Sequence, residues 1–371
     1  MTRNGIKTKI FFKEKEKKMK KITVAVVGCG RIANGAHLPA LNEMEDVRLK
    51  YVCDIVKEKA EKALKDFPKA ENAITDYKIA LNDEEVDAVM VLTPNFAHYT
   101  VTVDALNAGK HVFCEKPITV DYAKSKEMAE IAGKKGKILN IGLCNRYDSR
   151  VELLARYVAE GKLGNIYHVA CSFRNFRSIP GLGGPFTTKA QSGGGALIDW
   201  GVHFIDLILY VLGGAKALSA SCCAYNGTAK DMKAYKYKNM WAEDTSDVEN
   251  GTCDVEDFIS GLIRTDKAGI TFTGAWAQNV DKDEMWVDFL GDKGGVRLTY
   301  AGNFTFTDSA TLESVTPECQ QNKRYLEEDK AFIQSVRDMK KNKGNVIYAL
   351  ETAKIMEALY ASAASGKEIQ L

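Results

Sequence analysis

Residues 21–33 read KITVAVVGCGRIA, and this stretch decides the fold. The run Ile22, Val24, Val26 and Val27 is that of a parallel strand buried on both faces. It ends at Gly28, where the missing Cβ permits a tight turn. Gly30 then lets the backbone approach a pyrophosphate seated on the N-terminus of a helix that starts near Arg31 and Ile32. Ala33 stands where a third glycine often stands, small enough for helix to pack on strand. Asp54 closes a second apolar run 24 positions after Gly30, placed to accept hydrogen bonds from the ribose hydroxyls. The strand before, the helix after and the acid beyond are the context a dinucleotide site requires; a bare strand-to-helix turn is the alternative. A carboxylate at Asp54 repels a ribose phosphate, so NAD is favoured over NADP. Arg31 pulls the other way, since a guanidinium serves a pyrophosphate or a ribose phosphate equally well.

At 371 residues, 45% of them hydrophobic, the chain is long enough for two cores. A net charge of +2 makes no case for nucleic acid, although residues 1–21 hold nine Lys or Arg against two Glu. Residues 1–20 read as a disordered basic extension, with Met19 an alternative start and no apolar segment suited to a signal peptide. No window approaches the roughly 20 consecutive apolar residues of a membrane span. The nine cysteines show no metal-type spacing and read as small buried hydrophobes in a reducing cytoplasm. Cys222 and Cys223, adjacent on a strand, point to opposite faces. Five scattered histidines add no metal site.

Through residue 145, strand signals (47–53, 88–92, 111–114, 138–141) alternate with helical ones (57–67, 98–108, 122–135). This predicts a doubly wound parallel sheet with its ligands off the carboxyl ends of the strands. Thr93, Glu115, Lys116 and Asn145 all follow strands there. From about residue 165 strands recur without helices between most of them (166–176, 217–225, 257–264, 269–277, 285–290, 295–299, 304–307). That pattern predicts a large, mainly antiparallel open sheet. The fold class is therefore α/β, with a nucleotide domain at 21–145 and a second α/β domain at 146–371. The closing helices, within 323–365, are candidates to pack back on the first domain.

Residues 193–206, GGGALIDWGVHFID, form the second informative cluster. Three glycines lead into an apolar helix bearing Asp199 and His203 four residues apart, a spacing that puts both on one face. The carboxylate is placed to orient the imidazole or raise its pKa, as suits a base working near neutrality. Burying these groups beside Leu197, Ile198, Val202 and Phe204 is costly unless they have partners or work to do. Asp206 is open between function and packing.

Together with Glu115-Lys116-Pro117 and Thr93-Pro94-Asn95 followed by His98, these clusters resemble the glucose-fructose oxidoreductase, inositol dehydrogenase and rhizopine catabolism family, called Gfo/Idh/MocA. Val255-Glu256-Asp257 and the closing ten residues also resemble it. The resemblance implies a Rossmann domain followed by an open-sheet domain that makes homo-oligomer contacts. It also implies hydride transfer between a nicotinamide and a carbon bearing a secondary hydroxyl. Lys116 would bind the reacting hydroxyl, His203 would be the general acid/base, and Asp199 would hold substrate and imidazole. Thr93, Asn95, His98 and Glu115 would wall the cofactor, His98 being equally a candidate helix-start residue packed on the sheet, and Asn145, Arg146, Tyr147 and Arg174 would face the substrate. Asn145 stands where inositol dehydrogenases tend to have the first of two arginines. The aromatic, amide, arginine and glycine mixture of residues 174–186 suits a polyhydroxylated ring. The reading is oxidation of a small-molecule sugar or glycoside at a ring hydroxyl, carbon 3 foremost. An inositol dehydrogenase, a glycosidase acting by NAD-dependent oxidation and elimination, and a non-catalytic NAD-sensing regulator are the alternatives.

Overall fold

The computed structural model describes residues 20–371, so the reading of 1–20 as an extension lies, Lys20 apart, outside the described residues. The first half runs β1 (Ile22–Val27), α1 (Leu38–Glu43), β2 (Val47–Cys53), α2 (Lys57–Asp66), β3 (Asn72–Ile74), α3 (Lys78–Asn82), β4 (Ala88–Val91), α4 (His98–Asn107), β5 (His111–Glu115), α5 (Tyr122–Lys134) and β6 (Leu139–Gly142). Its six strands are all parallel, in the order β3-β2-β1-β4-β5-β6. Every residue of β1, β4, β5 and β6 is buried, because helices cover both faces. The order reverses between β1 and β4, which opens a crevice at the carboxyl edge where Gly28, Asp54, Thr93 and Lys116 lie.

The second half holds α6 (Ser149–Ala159), β7 (Ile166–Arg174), α7 (Lys189–Ser192), α8 (Val202–Val211), β8 (Ala217–Tyr225), β9 (Phe258–Thr265), β10 (Gly269–Ala275), β11 (Glu284–Gly291), β12 (Gly294–Thr299), β13 (Phe304–Asp308), β14 (Ser314–Val315), α9 (Arg324–Asp338), α10 (Leu350–Ser365) and β15 (Ile369–Gln370). Nine strands form one sheet in the order β14-β13-β12-β11-β7-β10-β9-β8-β15, antiparallel except where β7 meets β10. One face is apolar, with Val169, Phe173, Ile263, Val287 and Phe289 packed under α6, α8 and α10. The stretch 189–211 is long and apolar enough to cross a membrane by composition alone, yet most of it is buried inside the molecule as a core helix.

The closing helices divide their packing. Phe332, Ile333 and Val336 of α9 join Val24, Val26 and Met90 in the core of the first sheet. Ile355 and Leu359 of α10 instead join the core of the second. Residues 176–188 and 226–257 fold together into a cap whose small core of Ile179, Leu182, Tyr235 and Val255 is completed by Trp276 from the end of β10. The two segments touch through glycine: a Cβ at Gly183 would lie 2.1 Å from the Asp247 carbonyl oxygen, and one at Gly251 1.9 Å from that of Gly183. Most of the aromatic, amide, arginine and glycine stretch 174–186 thus belongs to one half of a packed two-segment unit.

Candidate active site

The glycine turn after β1 is shaped by two different needs. Gly28 has φ +101°, and a Cβ there would strike the Leu92 carbonyl at 2.5 Å, so the turn admits only glycine. At Gly30 a Cβ would meet nothing within 4 Å, which leaves open space beside the first-turn amides of the following helix. That helix contains a π turn, Ala33–His37, before α1. Asp54 accepts the Cys29 amide at 2.9 Å and the Val56 amide at 2.9 Å, which fixes its carboxylate beside the turn. Thr93 Oγ1 is buried without a partner at the end of β4. An open cradle, a fixed carboxylate and an orphaned hydroxyl fit a dinucleotide.

Across the crevice the structure brings Lys116 and Asp199 together. Lys116 follows β5 in a turn whose Lys116–Pro117 peptide is cis. Its Nζ donates to the Asp199 carbonyl at 3.1 Å and to Asp199 Oδ1 at 3.3 Å. Trp276 Nε1 donates to the other carboxylate oxygen at 3.1 Å. Asp199 therefore holds an ammonium on one side and an indole on the other, at the junction of the two halves.

His203 departs from expectation in two ways. Asp199 lies in a π turn, Leu197–Gly201, whose wider pitch breaks the four-residue register, and its two carboxylate oxygens go to Lys116 and Trp276. His203 Nδ1 is buried with no hydrogen-bond partner. Its pKa is also pushed well below the ordinary value rather than raised, by burial first and then by the charges of Lys116 and Arg324. The imidazole is neutral at physiological pH.

Several assigned side chains are already engaged. Arg31 is exposed and pairs with Asp244 of the cap at 2.7 Å. Ile32 is half-buried and packs on the core of the first sheet. Asn95 donates to the Ser192 carbonyl at 2.7 Å, which ties the loop after β4 to the glycine triplet. His98 starts α4 and is packed as a brace, the second of its two expected roles: its ring nitrogens face the carbonyls of Pro117 at 2.7 Å and Thr93 at 2.9 Å. Burial alone would lower its pKa, but Cys114 and the two carbonyls push it up to about 9, so both nitrogens donate. The Glu115 carboxylate likewise turns away from the crevice, to His37 Nε2 at 3.0 Å.

Three of the four expected substrate residues are likewise engaged within the fold. Arg146 is buried and makes a two-pronged pair with Asp206, at 2.8 and 2.6 Å, while also donating to the Lys343 and Tyr348 carbonyls. This settles Asp206 as its packing partner. Tyr147 is buried beneath Lys343, whose Nζ lies 4.4 Å from the ring centroid. Arg174 pairs with Glu284 on the neighbouring strand and donates to Ser172 Oγ at 3.1 Å. Asn145 stays beside the site, donating to the His203 carbonyl and the Tyr300 hydroxyl, each at 3.4 Å.

The residues that sequence reasoning missed are Arg324, Tyr300 and Trp276. Arg324, the first residue of α9, donates to Asn145 Oδ1 at 3.0 Å, and its guanidinium stands 5.8 Å from the Tyr300 ring centroid. Tyr300 stacks on Phe204 at 4.7 Å. No local motif marks them; only the expected return of the last helices hinted that Arg324 would reach this place.

The arrangement sets an ammonium, a carboxylate and a neutral imidazole with a spare nitrogen on the far wall of a dinucleotide crevice. Residues 22–143 match the family model described as an oxidoreductase family with an NAD-binding Rossmann fold, and residues 151–297 match the GFO/IDH/MocA C-terminal domain. D-glucoside 3-dehydrogenase of Escherichia coli is 30% identical over 354 residues, 94% of this chain and 97% of the relative. Inositol 2-dehydrogenase of Salmonella typhimurium is 32% identical over 52% of this chain and 54% of its own length. Levoglucosan dehydrogenase, solved with NADH and levoglucosan, superposes over 95% of this chain and 99% of its own with a TM-score of 0.82 at 18% identity, a likeness of fold. With both halves matched and one relative aligned along nearly its entire length, the chain belongs to the GFO/IDH/MocA family of NAD-binding oxidoreductases.

Proposed function

We propose that this protein oxidises a secondary ring hydroxyl of a sugar or glycoside, carbon 3 of a glucoside foremost, with NAD as acceptor. The observation that carries the reading is the contact of Lys116 with Asp199 beside the unpartnered nitrogen of His203. The 30% identical glucoside 3-dehydrogenase supports the substrate class and the carbon. Gly28, Gly30, Asp54 and Thr93 would hold the dinucleotide, which when bound supplies the hydride acceptor.

The chain's own residues supply the remainder. Lys116 donates to the reacting hydroxyl oxygen and stabilises the negative charge that grows there as the carbon gives up hydride. His203, kept neutral by its surroundings, accepts the hydroxyl proton on a nitrogen free to take it. Asp199, fixed by Trp276, holds the ammonium in place and offers an acceptor to a neighbouring sugar hydroxyl. Asn145, Tyr300 and Arg324 form the wall behind His203.

The same reading divides the chain at residue 145, where the first sheet has ended and α6 is about to begin. It includes assembly of copies through the outward sheet face that carries His168, Trp286 and Leu290, and a cytoplasmic location. The expectation that no metal, nucleic acid or membrane takes part stands as part of it.

The test is to denature the purified protein, identify any released nucleotide, and incubate the native protein with glucosides, free hexoses and inositols. A product two hydrogens lighter with a carbonyl at carbon 3 is the expected result. No oxidation across the panel would sink the reading. Lys116→Ala and His203→Ala should each lower turnover by about a hundredfold or more while NAD still binds; near-normal turnover in both would remove their roles.

A further inference from the structure

Behind the Lys116 turn lies a buried group of ionisable side chains that the reaction above does not use. His37, in the π turn before α1, has Nδ1 2.8 Å from Asp329 Oδ1 on α9 and Nε2 3.0 Å from Glu115 Oε1 at the end of β5. The second Glu115 oxygen accepts the backbone amide of Lys116 at 2.9 Å. Asp329, His37 and Glu115 thus form an unbroken hydrogen-bonded string from α9 to the lysine. All three are buried.

An imidazole facing two ionised carboxylates satisfies both only when each nitrogen carries a proton; burial pushes the Asp329 carboxyl up, and the His37 charge and hydrogen bond pull it back down. Burial alone would lower the His37 pKa, but Asp329 and Glu115 raise it well above its ordinary value, so the ring is an imidazolium. Glu328 sits alongside with both oxygens buried and unpartnered, within 4.8 Å of the His37 and Glu115 atoms that face it. Burial, then the charge of Glu115, push its carboxyl well above the usual range, so Glu328 holds its proton. Tyr325 meets the His37 ring edge-on from α9 at 5.7 Å, and Phe113 meets it from β5 at 5.1 Å. Cys144, after β6, faces Glu328 and Glu115, Tyr147 faces Glu328, and burial pushes both up, so they stay neutral.

We propose that Asp329, His37 and Glu115 are positioning residues for Lys116: an imidazolium clamped between two carboxylates fixes the one that holds the lysine's own amide. The inference rests on the reading of Lys116 as the group that meets the reacting hydroxyl. A neutral imidazole has one N–H for two carboxylates, so one of them faces a lone pair, and even a retained bond to Glu115 loses its charge assistance, which loosens the hold of Glu115 on the Lys116 amide. The ammonium would then lose its fixed reach to Asp199, and misplacement of about an ångström costs roughly a hundredfold in rate.

The experiment uses the full-length chain, methyl α-D-glucopyranoside as the probe substrate, and Asp329→Asn, His37→Gln, Glu328→Gln and Lys116→Ala. In Asp329→Asn the His37 pKa falls. Its kcat should drop by about 10- to 100-fold, with KM and NAD affinity unchanged, and it should decline further as pH rises through the new His37 pKa. Wild type should show no such decline between about pH 6 and 9. Glu328→Gln copies the protonated acid and should leave kcat and its pH profile unchanged. A lowered melting temperature in Asp329→Asn with wild-type kcat and pH profile would overturn the proposal, because a merely structural ion pair predicts that. Nitrogen NMR of labelled histidine reads the clamp without turnover: wild type should show a doubly protonated ring at pH 8 that His37→Gln lacks, and a neutral His37 would overturn it. An inactive Lys116→Ala beside an unaffected Asp329→Asn sinks this inference alone, whereas an active Lys116→Ala sinks the proposed function.

Discussion

His203 carries the clearest electrostatic signature at the residue scale. Burial and two neighbouring cations hold its imidazole neutral, the form able to take a proton from an alcohol. Arg324 is one of those cations, so replacing it with methionine raises the His203 pKa and moves the acid limb of kcat/KM for oxidation to higher pH. An acid limb that stays in place would mean that Arg324 does not govern the base. Glycine gives a second residue-scale test. Gly30→Ala should leave stability within about 0.5 kcal/mol, because its Cβ enters open space, yet weaken NAD binding about tenfold or more. Unchanged NAD affinity would show that the open space is not the cofactor's. Lys116, Asp199 and His203, on which the proposed function rests, stood out in the sequence because each sits in a motif. The engagement of other assigned side chains within the fold did not, for one physical reason. Arg146, Glu115 and His98 are satisfied by Asp206, His37 and two backbone carbonyls, and most of those partners are remote in sequence and meet them only once the chain has folded.

Among elements, the start of the helix at residue 196 shows how much close packing a glycine run can serve. A Cβ at Gly194 would lie 2.0 Å from the Tyr360 hydroxyl, and one at Gly195 1.9 Å from the Glu256 carbonyl. The Glu256 carboxylate caps the turn, accepting the Gly195 amide at 3.0 Å and the Leu197 amide at 2.9 Å, with the Tyr360 hydroxyl at 2.9 Å. Gly195→Ala must therefore displace backbone and should cost about 3 kcal/mol, read as a loss of denaturation midpoint; a midpoint near wild type would show that the cap yields easily. Long strands such as β2 and β8 were legible to the residue, since apolar runs and β-branched content mark them. β3 was not, because three half-exposed residues carry no period and are strand only by pairing with β2. Nor were the π turns, since one extra residue in a helical turn leaves no mark in an apolar pattern.

On the scale of the whole molecule, the cap and the nucleotide half meet through Arg31 and Asp244, both exposed. Such a pair adds little to stability and is screened by salt, but this one runs from the glycine turn to the cap. Asp244→Asn should leave the melting temperature unchanged and speed NAD dissociation at low salt, with the difference fading as salt rises. Equal dissociation rates in variant and wild type at low salt would remove the latch. The two-sheet architecture and its order along the chain were legible from the change in strand rhythm near residue 165. The cap was not, because its two segments lie about 50 residues apart and interlock by backbone contact.

The return of α9 to the first sheet imposes an order of manufacture. A ribosome that has released all six strands of the nucleotide half has yet to make Phe332, Ile333 and Val336, which cover β1, and Asp329, which pairs with His37. Roughly 180 further codons separate the end of that sheet from its cover, about 10 to 40 seconds at ordinary elongation speeds. During that interval the newborn sheet carries a bare apolar flank, the kind of surface that chaperones shield. The core of the nucleotide half is thus closed only by the arrival of the penultimate helix.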